Sequence, residues 1–510
     1  MDQSATEAAL PPTAEELPLP VRLPAAPKAD SFGNLMRSLL QASALFVIGF
    51  LFLRTFALEP FGVPTGSMAP ALIGNHREAA CPRCDHPVVV GDASQHQGER
   101  PAVWFADGYC PNCGKRGIDI GSTWEVPGDR LMVDKNVFNL RSPRRWEVAV
   151  FRCPVDISKP YVKRIVGLPG ESIRILDGEI FANGELARKT LEQVRETRLP
   201  IFDMAFAPPG GWGVRWLVEP VADNPRLPPP SATPPAIADA NIARDAALIL
   251  DATNPDKPAI GLTYRHWNID DKREESVNDT LAYNGAPRRN KGIPVHEFTL
   301  ECDLEIVAGS GSFACRLGDG LDTVKVEFPI GDVAKPAGVQ LSRDGGDPPR
   351  QAAGLKIEAG RTYHLEFAFV DRRASVALDG KEILPALDLP ADADRLSRRG
   401  QVSRPIQLGV RGVQVIVHRL KLYRDIYYRS EGTNAIQAPY LLPATEYFFL
   451  GDNSSNSNDS REWSIPGVPE RDFIGKPFLI HQPLKIGRTT VNGTARPYQT
   501  VDWSRLRWMR

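Results

Sequence analysis

The chain has 510 residues, and 61 Lys and Arg against 62 Asp and Glu give a formal net charge of −1. This balance argues against a nucleic-acid-binding protein, because neutralising phosphates needs a basic excess. Hydrophobic residues make up 42% and charged residues 24%, close to globular usage, which excludes wholesale disorder. At roughly 150 residues per domain, the length suggests about three domains.

The N-terminal region contains a polar tail followed by one long apolar run. Residues 1–34 are rich in Pro, Ala and Glu without a periodic pattern, which predicts a disordered tail. Residues 35–58 are apolar over about 20 positions, the length that spans a bilayer, and predict a transmembrane helix. Arg22, Lys28 and Arg37 precede its apolar centre, and this positive charge places the tail in the cytoplasm. A cleaved signal peptide fits less well, because the tail is long for one and no small-residue cleavage site follows.

Two residues beyond this run have surroundings that suit catalysis. Ser67 follows Pro64 and Gly66 in an irregular turn that can expose a nucleophile. Lys163 lies in an apolar predicted strand, where burial lowers the pKa of a lysine. A neutral lysine beside a serine hydroxyl is a general base. Taken singly, each residue also has an ordinary interpretation, since turn serines often bond the backbone and most lysines are surface cations.

Four motifs that occur in order carry a more specific signal. They are PTGSMAP at 64–70, GDRLMVDK at 128–135, VKRIVGLPGE at 162–171 and GDNSSNSNDSR at 451–461. Together with the apolar run upstream, they resemble type I signal peptidase, the membrane-anchored Ser-Lys protease that removes signal peptides from exported proteins. The resemblance covers under a third of the chain.

The resemblance implies a role for each matching residue. Ser67 matches the nucleophile, Lys163 the general base, and Thr65 a hydroxyl that forms the oxyanion hole with the Ser67 N–H. No cofactor is implied for catalysis. Seven further residues match positions that support the site or line a pocket for small substrate side chains. The support residues are Ser457, Asp459 and Arg461, and the pocket residues are Phe61, Val63, Met68 and Leu72.

The sequence departs from the family pattern at two places. Ser454 stands where the family usually has Arg, so one support of the last motif is missing. Trp146 and Glu147 replace the usual Gly-Asp before a predicted buried strand. Neither departure touches the Ser67–Lys163 pair.

Two C-x-x-C pairs lie between the first and second motifs. Each pair puts two thiols on one tight turn, and two such turns can form a tetrahedral zinc site. The Cys-Pro-x-Cys form resembles a zinc ribbon, while two disulfides are the alternative in an oxidising compartment. His86 and His96 are substitute ligands that four cysteines do not need. The four cysteines are Cys81, Cys84, Cys110 and Cys113.

A long insertion separates the third motif from the fourth. Its proline-rich run at 224–236 predicts a stiff connection. Strict alternation of apolar and polar residues, as at 297–307, then predicts half-buried antiparallel strands and places Cys302 in the core. The strand rhythm resembles a concanavalin-like or laminin-G-like jelly roll. Such sandwiches often bind carbohydrate, but the interpretation we favour is a structural or substrate-presenting role.

The expected fold is mainly β: a membrane-anchored signal-peptidase-type core, an inserted jelly-roll sandwich and a small zinc-ribbon-like element. The core segments are 59–75, 125–185 and 440–510, the zinc-ribbon-like element is 76–124, and the sandwich insertion is 186–439.

The expected function is that of a single-pass inner-membrane serine endopeptidase with its catalytic domain on the periplasmic side. The resemblance implies exported preproteins as substrates and the lipid bilayer and the export machinery as partners, with no nucleic acid. Two alternatives stay open. One is a Ser-Lys autoprotease, and the other is an anchored binding protein with an inactive core that works through its sandwich.

Overall fold

The computed structural model describes most of the chain. Strands make up 46% of it and helices 12%, which confirms the predicted mainly β fold class. The chain divides into two compact units, residues 1–55 and residues 56–510. The first thirty residues of the predicted tail, His96 and the proline-rich run lie outside the described residues. The described ranges are 31–92, 105–220, 242–243, 247–254, 259–286, 292–331, 338–346, 348–491 and 494–509.

The first described element is a long apolar helix, Ser31–Phe56. An 18-residue window within it reaches a mean hydropathy of 1.8, so by length and composition the helix could cross a membrane. It begins inside the predicted tail and ends two residues before the predicted end of the span at residue 58. The difference at its end has a simple cause, because Leu58–Gly62 is a strand that pairs with Arg130–Asp134.

The predicted catalytic core is built on an antiparallel sheet of eight strands. The strand that contains Lys163, Asp156–Gly167, lies between Val148–Cys153 and Glu446–Leu450. The second and third core segments, which are distant in sequence, are therefore neighbours. In spatial order the strands are Leu58–Gly62, Arg130–Asp134, Phe473–Ile480, Val148–Cys153, Asp156–Gly167, Glu446–Leu450 and Gly467–Pro469, with Arg507–Trp508 paired to Phe473–Ile480.

A second sheet lies where the chain leaves the core and returns to it. Its hairpin turns at Asp177 and Gly178, whose φ angles of 51° and 86° suit a type I′ turn. Tyr440–Leu441, which follows the insertion, pairs with Ser172–Leu176, which precedes it. The two ends of the insertion thus lie side by side. The four strands are, in order, Glu185–Leu186, Glu179–Ala182, Ser172–Leu176 and Tyr440–Leu441.

The junction of core and insertion contains a buried charge network. Lys189 is 3% exposed, and its Nζ lies 2.9 Å from Asp371 Oδ1 and 2.8 Å from Asp425 Oδ2. Burial raises the pKa of Asp371 to about 6, although the Lys189 ammonium opposes this shift. Because breaking a buried ion pair is costly, these residues hold the first part of the insertion, which follows the core, against later strands and turns of the same insertion.

The insertion forms a sheet of fourteen strands dominated by two long ones. Phe298–Gly318 and Ile406–Arg424 pair along most of their length, with bulges where the register shifts. The apolar side of the alternating pattern is buried as predicted, and Cys302 is 1% exposed within that core. The strands are Leu199–Asp203, Trp216–Pro220, Ile242–Ala243, Ala247–Asp251, Ile260–Tyr264, Phe298–Gly318, Thr323–Ile330, Gly338–Arg343, Arg350–Ala353, Arg361–Val370, Arg373–Leu378, Lys381–Glu382, Leu387–Asp388 and Ile406–Arg424.

The cysteine-rich element consists of short strands and turns. Its central strand, His76–Ala80, pairs with Pro87–Gly91 on one side and Glu125–Val126 on the other. Asp107–Gly108 pairs with Ile118–Asp119. The four cysteines pack into the same apolar cluster as the core of the insertion, so the element packs against the insertion.

The remaining described elements are short. Two further hairpins are Trp267–Asn268 with Arg273–Glu274, and Leu484–Val491 with Thr494–Val501. The shorter α-helices are Val137–Leu140, Leu191–Thr197 and Ala393–Ser397, and the 3-10 turns are Gly213–Arg215, Ala282–Asn284, Ser454–Asn456 and Glu470–Asp472.

Candidate active site

Lys163 is a buried lysine in the middle of a core strand. It is 3% exposed, and its neighbour across the sheet on the strand Val148–Cys153 is Ala149. Burial lowers the pKa of Lys163 to about 8, although the nearby Asp459 carboxylate opposes the shift. Its Nζ donates a hydrogen bond of 2.9 Å to the Ser457 hydroxyl oxygen. A substantial fraction of this lysine is therefore neutral near pH 8, as a general base requires.

Ser457 connects the lysine to a buried ion pair. The Ser457 hydroxyl donates to Asp459 Oδ2 at 2.7 Å, and Asp459 is fully buried. The Arg461 guanidinium binds both oxygens of Asp459 at 2.8 Å. Burial by itself raises the pKa of Asp459, but Arg461 holds it below its usual value. The carboxylate thus stays ionised and fixes the Ser457 proton, which leaves the Ser457 oxygen free to accept from Lys163.

The absence of a side chain at Gly451 allows the Ser67 backbone to lie close to this hydrogen-bond network. A methyl group added to Gly451 would lie 2.2 Å from Ser457 Oγ and 2.5 Å from the Ser67 carbonyl oxygen. Both groups therefore lie directly against the glycine, and only a residue without a side chain fits there. The structure thus places the Ser67 backbone close to Ser457, the hydrogen-bond partner of Lys163. Among the described residues, no hydrogen bond yet joins the Ser67 hydroxyl to Lys163.

Asn453 holds the loop that carries Ser67, which we call the nucleophile loop (64–75). Its backbone N–H donates to the Ser67 carbonyl at 3.0 Å, and its side-chain Nδ2 donates to the Gly66 carbonyl at 2.9 Å. Asn453 is fully buried. It lies within the 451–461 motif, but the sequence offered no signal that its amide reaches the loop.

The predicted oxyanion-hole residue, Thr65, is half-buried on the same loop. Its backbone carbonyl lies against Gly74, where an added methyl group would approach the Thr65 oxygen to 2.5 Å. In the described part of the chain, the Thr65 hydroxyl makes no hydrogen bond. The role of the Thr65 hydroxyl in an oxyanion hole therefore stays a prediction.

The predicted pocket residues lie together, two of them on the nucleophile loop itself and two directly before it. Val63, Met68 and Leu72 are at most 2% exposed and belong to one apolar cluster, and Phe61 packs against it while partly exposed. Only Phe61 therefore has surface that a substrate could touch directly in this conformation. Their contribution to substrate selection stays a prediction.

Ser454 and Trp146, which depart from the family pattern, both accept hydrogen bonds in the structure. The Ser454 hydroxyl accepts hydrogen bonds of 2.8 Å from both the Arg461 guanidinium and the Arg429 N–H. The Trp146 carbonyl accepts from Arg164, and Arg164 also binds both oxygens of Asp452 at 2.7 and 2.6 Å. The Arg164–Asp452 pair is buried beside Lys163, and sequence reasoning missed it.

The four cysteines form a second cluster of functional groups. One ligand atom of each lies within 4.8 Å of those of the others. Cys81 Sγ is 3.6 Å from Cys113 Sγ, and Cys84 Sγ is 3.7 Å from Cys110 Sγ. All four are buried free thiols. In a zinc site with Zn–S bonds of about 2.3 Å, tetrahedral geometry places sulfurs about 3.8 Å apart, so the cluster fits zinc.

Comparison with known proteins supports the resemblance of the core. The family model described as signal peptidase, peptidase S26, matches residues 122–215 and 399–481. Signal peptidase I of Pseudomonas fluorescens is 31% identical over 150 residues, which are 29% of this chain and 37% of that protein. Signal peptidase I of Rickettsia typhi is 29% identical over 150 residues, which are 29% of this chain and 44% of that protein. The chain thus spans less than half the length of these curated relatives.

Two solved structures match part of the chain with low scores. A carbohydrate-binding module CBM66 from Bacillus subtilis has 17% identity, covers 26% of this chain and 84% of its own, and has a TM-score of 0.19. Galectin LEC-6 from Caenorhabditis elegans has 15% identity, covers 27% of this chain and 91% of its own, and also has a TM-score of 0.19. Scores this low support no statement about the fold or ligand of the insertion.

The matched segments contain the strand of Lys163 and the motif of Ser457, and they leave out Ser67. Over these segments the core is similar to signal peptidase, peptidase S26, and the curated relatives that match it are signal peptidase I proteins.

Proposed function

We propose that this chain is a membrane-bound serine endopeptidase that removes N-terminal signal peptides from exported preproteins with a Ser67–Lys163 dyad. The observation that carries the proposal is the buried Lys163. Its pKa is lowered to about 8 by burial, and its Nζ donates to Ser457, which lies against Gly451 as the Ser67 carbonyl does. The helix Ser31–Phe56 supports membrane attachment by its length and composition.

The first half of the reaction acylates Ser67. Neutral Lys163 has one lone pair, and its N–H bond to Ser457 leaves that lone pair free to take the Ser67 hydroxyl proton. Ser67 Oγ then attacks the scissile carbonyl carbon. The Thr65 hydroxyl and the Ser67 N–H donate to the resulting oxyanion, and such a donor contributes about 3 kcal/mol. When the C–N bond breaks, Lys163 returns the proton to the leaving amine, and the signal peptide remains as an ester on Ser67.

The second half releases the signal peptide. Lys163, neutral again, takes a proton from a water molecule that attacks the ester carbonyl. The same two donors stabilise the second oxyanion, and collapse returns the proton to Ser67 Oγ. The Asp459–Arg461 ion pair keeps Ser457, and through it Lys163, in place during both halves.

Cleavage of a labelled preprotein with an A-x-A site tests the proposed function directly. We expect the detergent-purified chain to cut after the small residue at the end of that site, and Ser67→Ala to abolish cleavage. Mass spectrometry of the products identifies the bond that is cut. A wild-type chain inert on several preproteins, or a Ser67→Ala variant as active as the wild type, would contradict the proposal.

We also propose that Cys81, Cys84, Cys110 and Cys113 bind one structural zinc ion. The sulfur spacings fit a tetrahedral site, and the turns around the cysteines are closed by backbone bonds from Cys81 N–H to the His86 carbonyl and from Cys110 N–H to the Lys115 carbonyl, both under 3 Å. When bound, zinc would cross-link these two turns. The ion supplies structure, and the Ser67–Lys163 chemistry runs without it.

Metal analysis checks the zinc proposal independently of activity. We expect about one zinc ion per chain in the purified protein and none in Cys81→Ser/Cys113→Ser, because removing two of four thiolates destroys the site. Cys302→Ser is the matched control, since Cys302 is equally buried but lies in the insertion core. Alkylation before reduction that reveals two disulfides, with no bound metal, would show that the site is not a zinc site.

A further inference from the structure

One short segment of the insertion reaches the nucleophile loop. We call it the bridging segment (279–285), and it contains the 3-10 turn Ala282–Asn284. The Tyr283 ring is 5% exposed and packs against Ala69 and Ile73, which follow Ser67 on the loop. The Tyr283 hydroxyl donates to the backbone carbonyl of Asn75, the last residue of the loop, at 3.1 Å. The insertion is thus in direct contact with the loop that carries the nucleophile.

The next residue, Asn284, forms a reciprocal amide pair with Asn453. Asn284 Nδ2 donates to Asn453 Oδ1 at 2.8 Å, and Asn453 Nδ2 donates to Asn284 Oδ1 at 2.8 Å. A further bond of 3.0 Å joins Asn284 Nδ2 to the Ser455 hydroxyl. Asn453 is the residue that holds the carbonyls of Gly66 and Ser67.

The chemistry of the amide group explains what this pair does. An asparagine amide has one acceptor oxygen and two N–H donors. On Asn453, one N–H goes to the Gly66 carbonyl and the other to Asn284, while the oxygen accepts from Asn284. If the Asn453 amide turned over, its oxygen would face the Gly66 carbonyl and repel it. The Gly66 carbonyl therefore selects the orientation of the Asn453 amide, and Asn284, which binds the remaining N–H and the oxygen, holds the amide in that orientation.

The bridging segment is itself anchored at its other end. The Asp279 carboxylate binds the Arg429 guanidinium at 2.5 and 3.2 Å. The Asp279 carbonyl accepts from Arg424, which is buried, at 2.9 Å. The Tyr109 hydroxyl of the cysteine-rich element donates to Thr280 at 3.1 Å. These bonds hold the segment independently of the Asn284–Asn453 pair, so Asn284 can be changed without releasing it.

We propose that Asn284 is a positioning residue for Ser67 that acts through Asn453. This role rests on the proposed function of the site. The insertion thereby contributes to the active centre, because the Gly66 carbonyl, directly before the nucleophile, is bound by an amide that a residue of the insertion holds in place. Asn284 touches no reacting atom and changes only how often Ser67 points at Lys163.

A double-mutant cycle with Asn284→Ala and Asn453→Ala tests this role on the full-length chain. We expect Asn284→Ala to lower kcat about tenfold, as small misplacements of a reacting group do, while KM stays within about twofold. Because Asn284 acts through Asn453, adding Asn284→Ala to Asn453→Ala should lower kcat no further. Gln351→Ala is the matched control, since it removes an exposed side-chain amide from an edge strand of the same insertion.

Hydrogen exchange supplies a readout that does not depend on cleavage. We expect faster exchange in peptides that cover 64–75 and 448–460 in Asn284→Ala, and unchanged exchange in Gln351→Ala. Unchanged exchange in Asn284→Ala, or two substitutions whose effects on kcat multiply, would overturn the positioning role. If Asn284→Ala speeds exchange in these peptides but the wild-type chain cleaves no preprotein, Asn284 still positions the loop. The proposed function is then rejected instead.

Discussion

Lowering the pH from about 9 to about 6 is expected to reduce kcat/KM of the wild-type chain about a hundredfold. The cause is the protonation of Lys163, whose pKa burial lowers to about 8. In the proposed mechanism the neutral lysine is the base, so activity is expected above that pKa and falls tenfold for each pH unit below it. At about pH 6 roughly one lysine in a hundred is neutral. A pH profile of kcat/KM measured with a labelled preprotein shows this decline directly.

The variant Lys163→Met separates this titration from other effects. Methionine fills similar space without a titratable amine. We therefore expect Lys163→Met to lower kcat/KM about a thousandfold or more at pH 9, and the remaining activity not to fall further as the pH is lowered. Burial raises the pKa of Asp371 at the core–insertion junction to about 6, so each acidic sample is returned to pH 9 to verify that activity recovers. Wild-type activity that stays level down to pH 6 would refute a neutral-lysine base.

The substitution Gly451→Ala is expected to lower kcat by at least about a hundredfold, because displacements of about 1 Å at a reacting centre have that effect. The new methyl group would lie 2.2 Å from Ser457 Oγ and 2.5 Å from the Ser67 carbonyl oxygen. The Ser457 hydroxyl cannot move away freely, since it is hydrogen-bonded to Lys163 and Asp459. The methyl group must therefore push the nucleophile and the lysine's partner apart.

Gly62→Ala is the matched control for this substitution. Gly62 lies in the same core, and a methyl group there would meet nothing within 4 Å. We expect Gly62→Ala to keep wild-type activity and thermal stability. If Gly451→Ala retained wild-type kcat, the close approach of Ser67 to Ser457 would not exist in the working enzyme.

The sequence predicted the parts of the site that depend on local pattern. The apolar neighbours of Lys163 indicated a buried strand, and the structure buries this lysine at 3% exposure. The alternation at 297–307 likewise predicted the strand and the buried Cys302. In both cases the residues that decide the outcome lie within a few positions of one another.

The contacts that local pattern could not reveal join residues far apart in the chain. Asn284 and Asn453 are separated by 169 positions, and nothing around either residue indicates an amide partner. Arg164 was missed for another reason. Strand alternation places it on the face opposite Lys163, which suggests an exposed cation, but the strand is covered on both faces and Arg164 pairs with Asp452. The end of the apolar helix was also misplaced by two residues, because hydropathy does not report the strand pairing of Leu58.

The wide sequence separation within the site has a consequence for the newly made chain. Lys163 and Ser457 are 294 positions apart, and Asn453 reaches back 387 positions to Gly66. A chain is synthesised from its N-terminus, and its parts fold as they emerge. Ser67 and Lys163 are therefore synthesised well before the residues that orient them, since Ser457 follows Lys163 by 294 positions. Until Asn453 and Ser457 are made, the proposed nucleophile and base lack the hydrogen bonds that hold them in place.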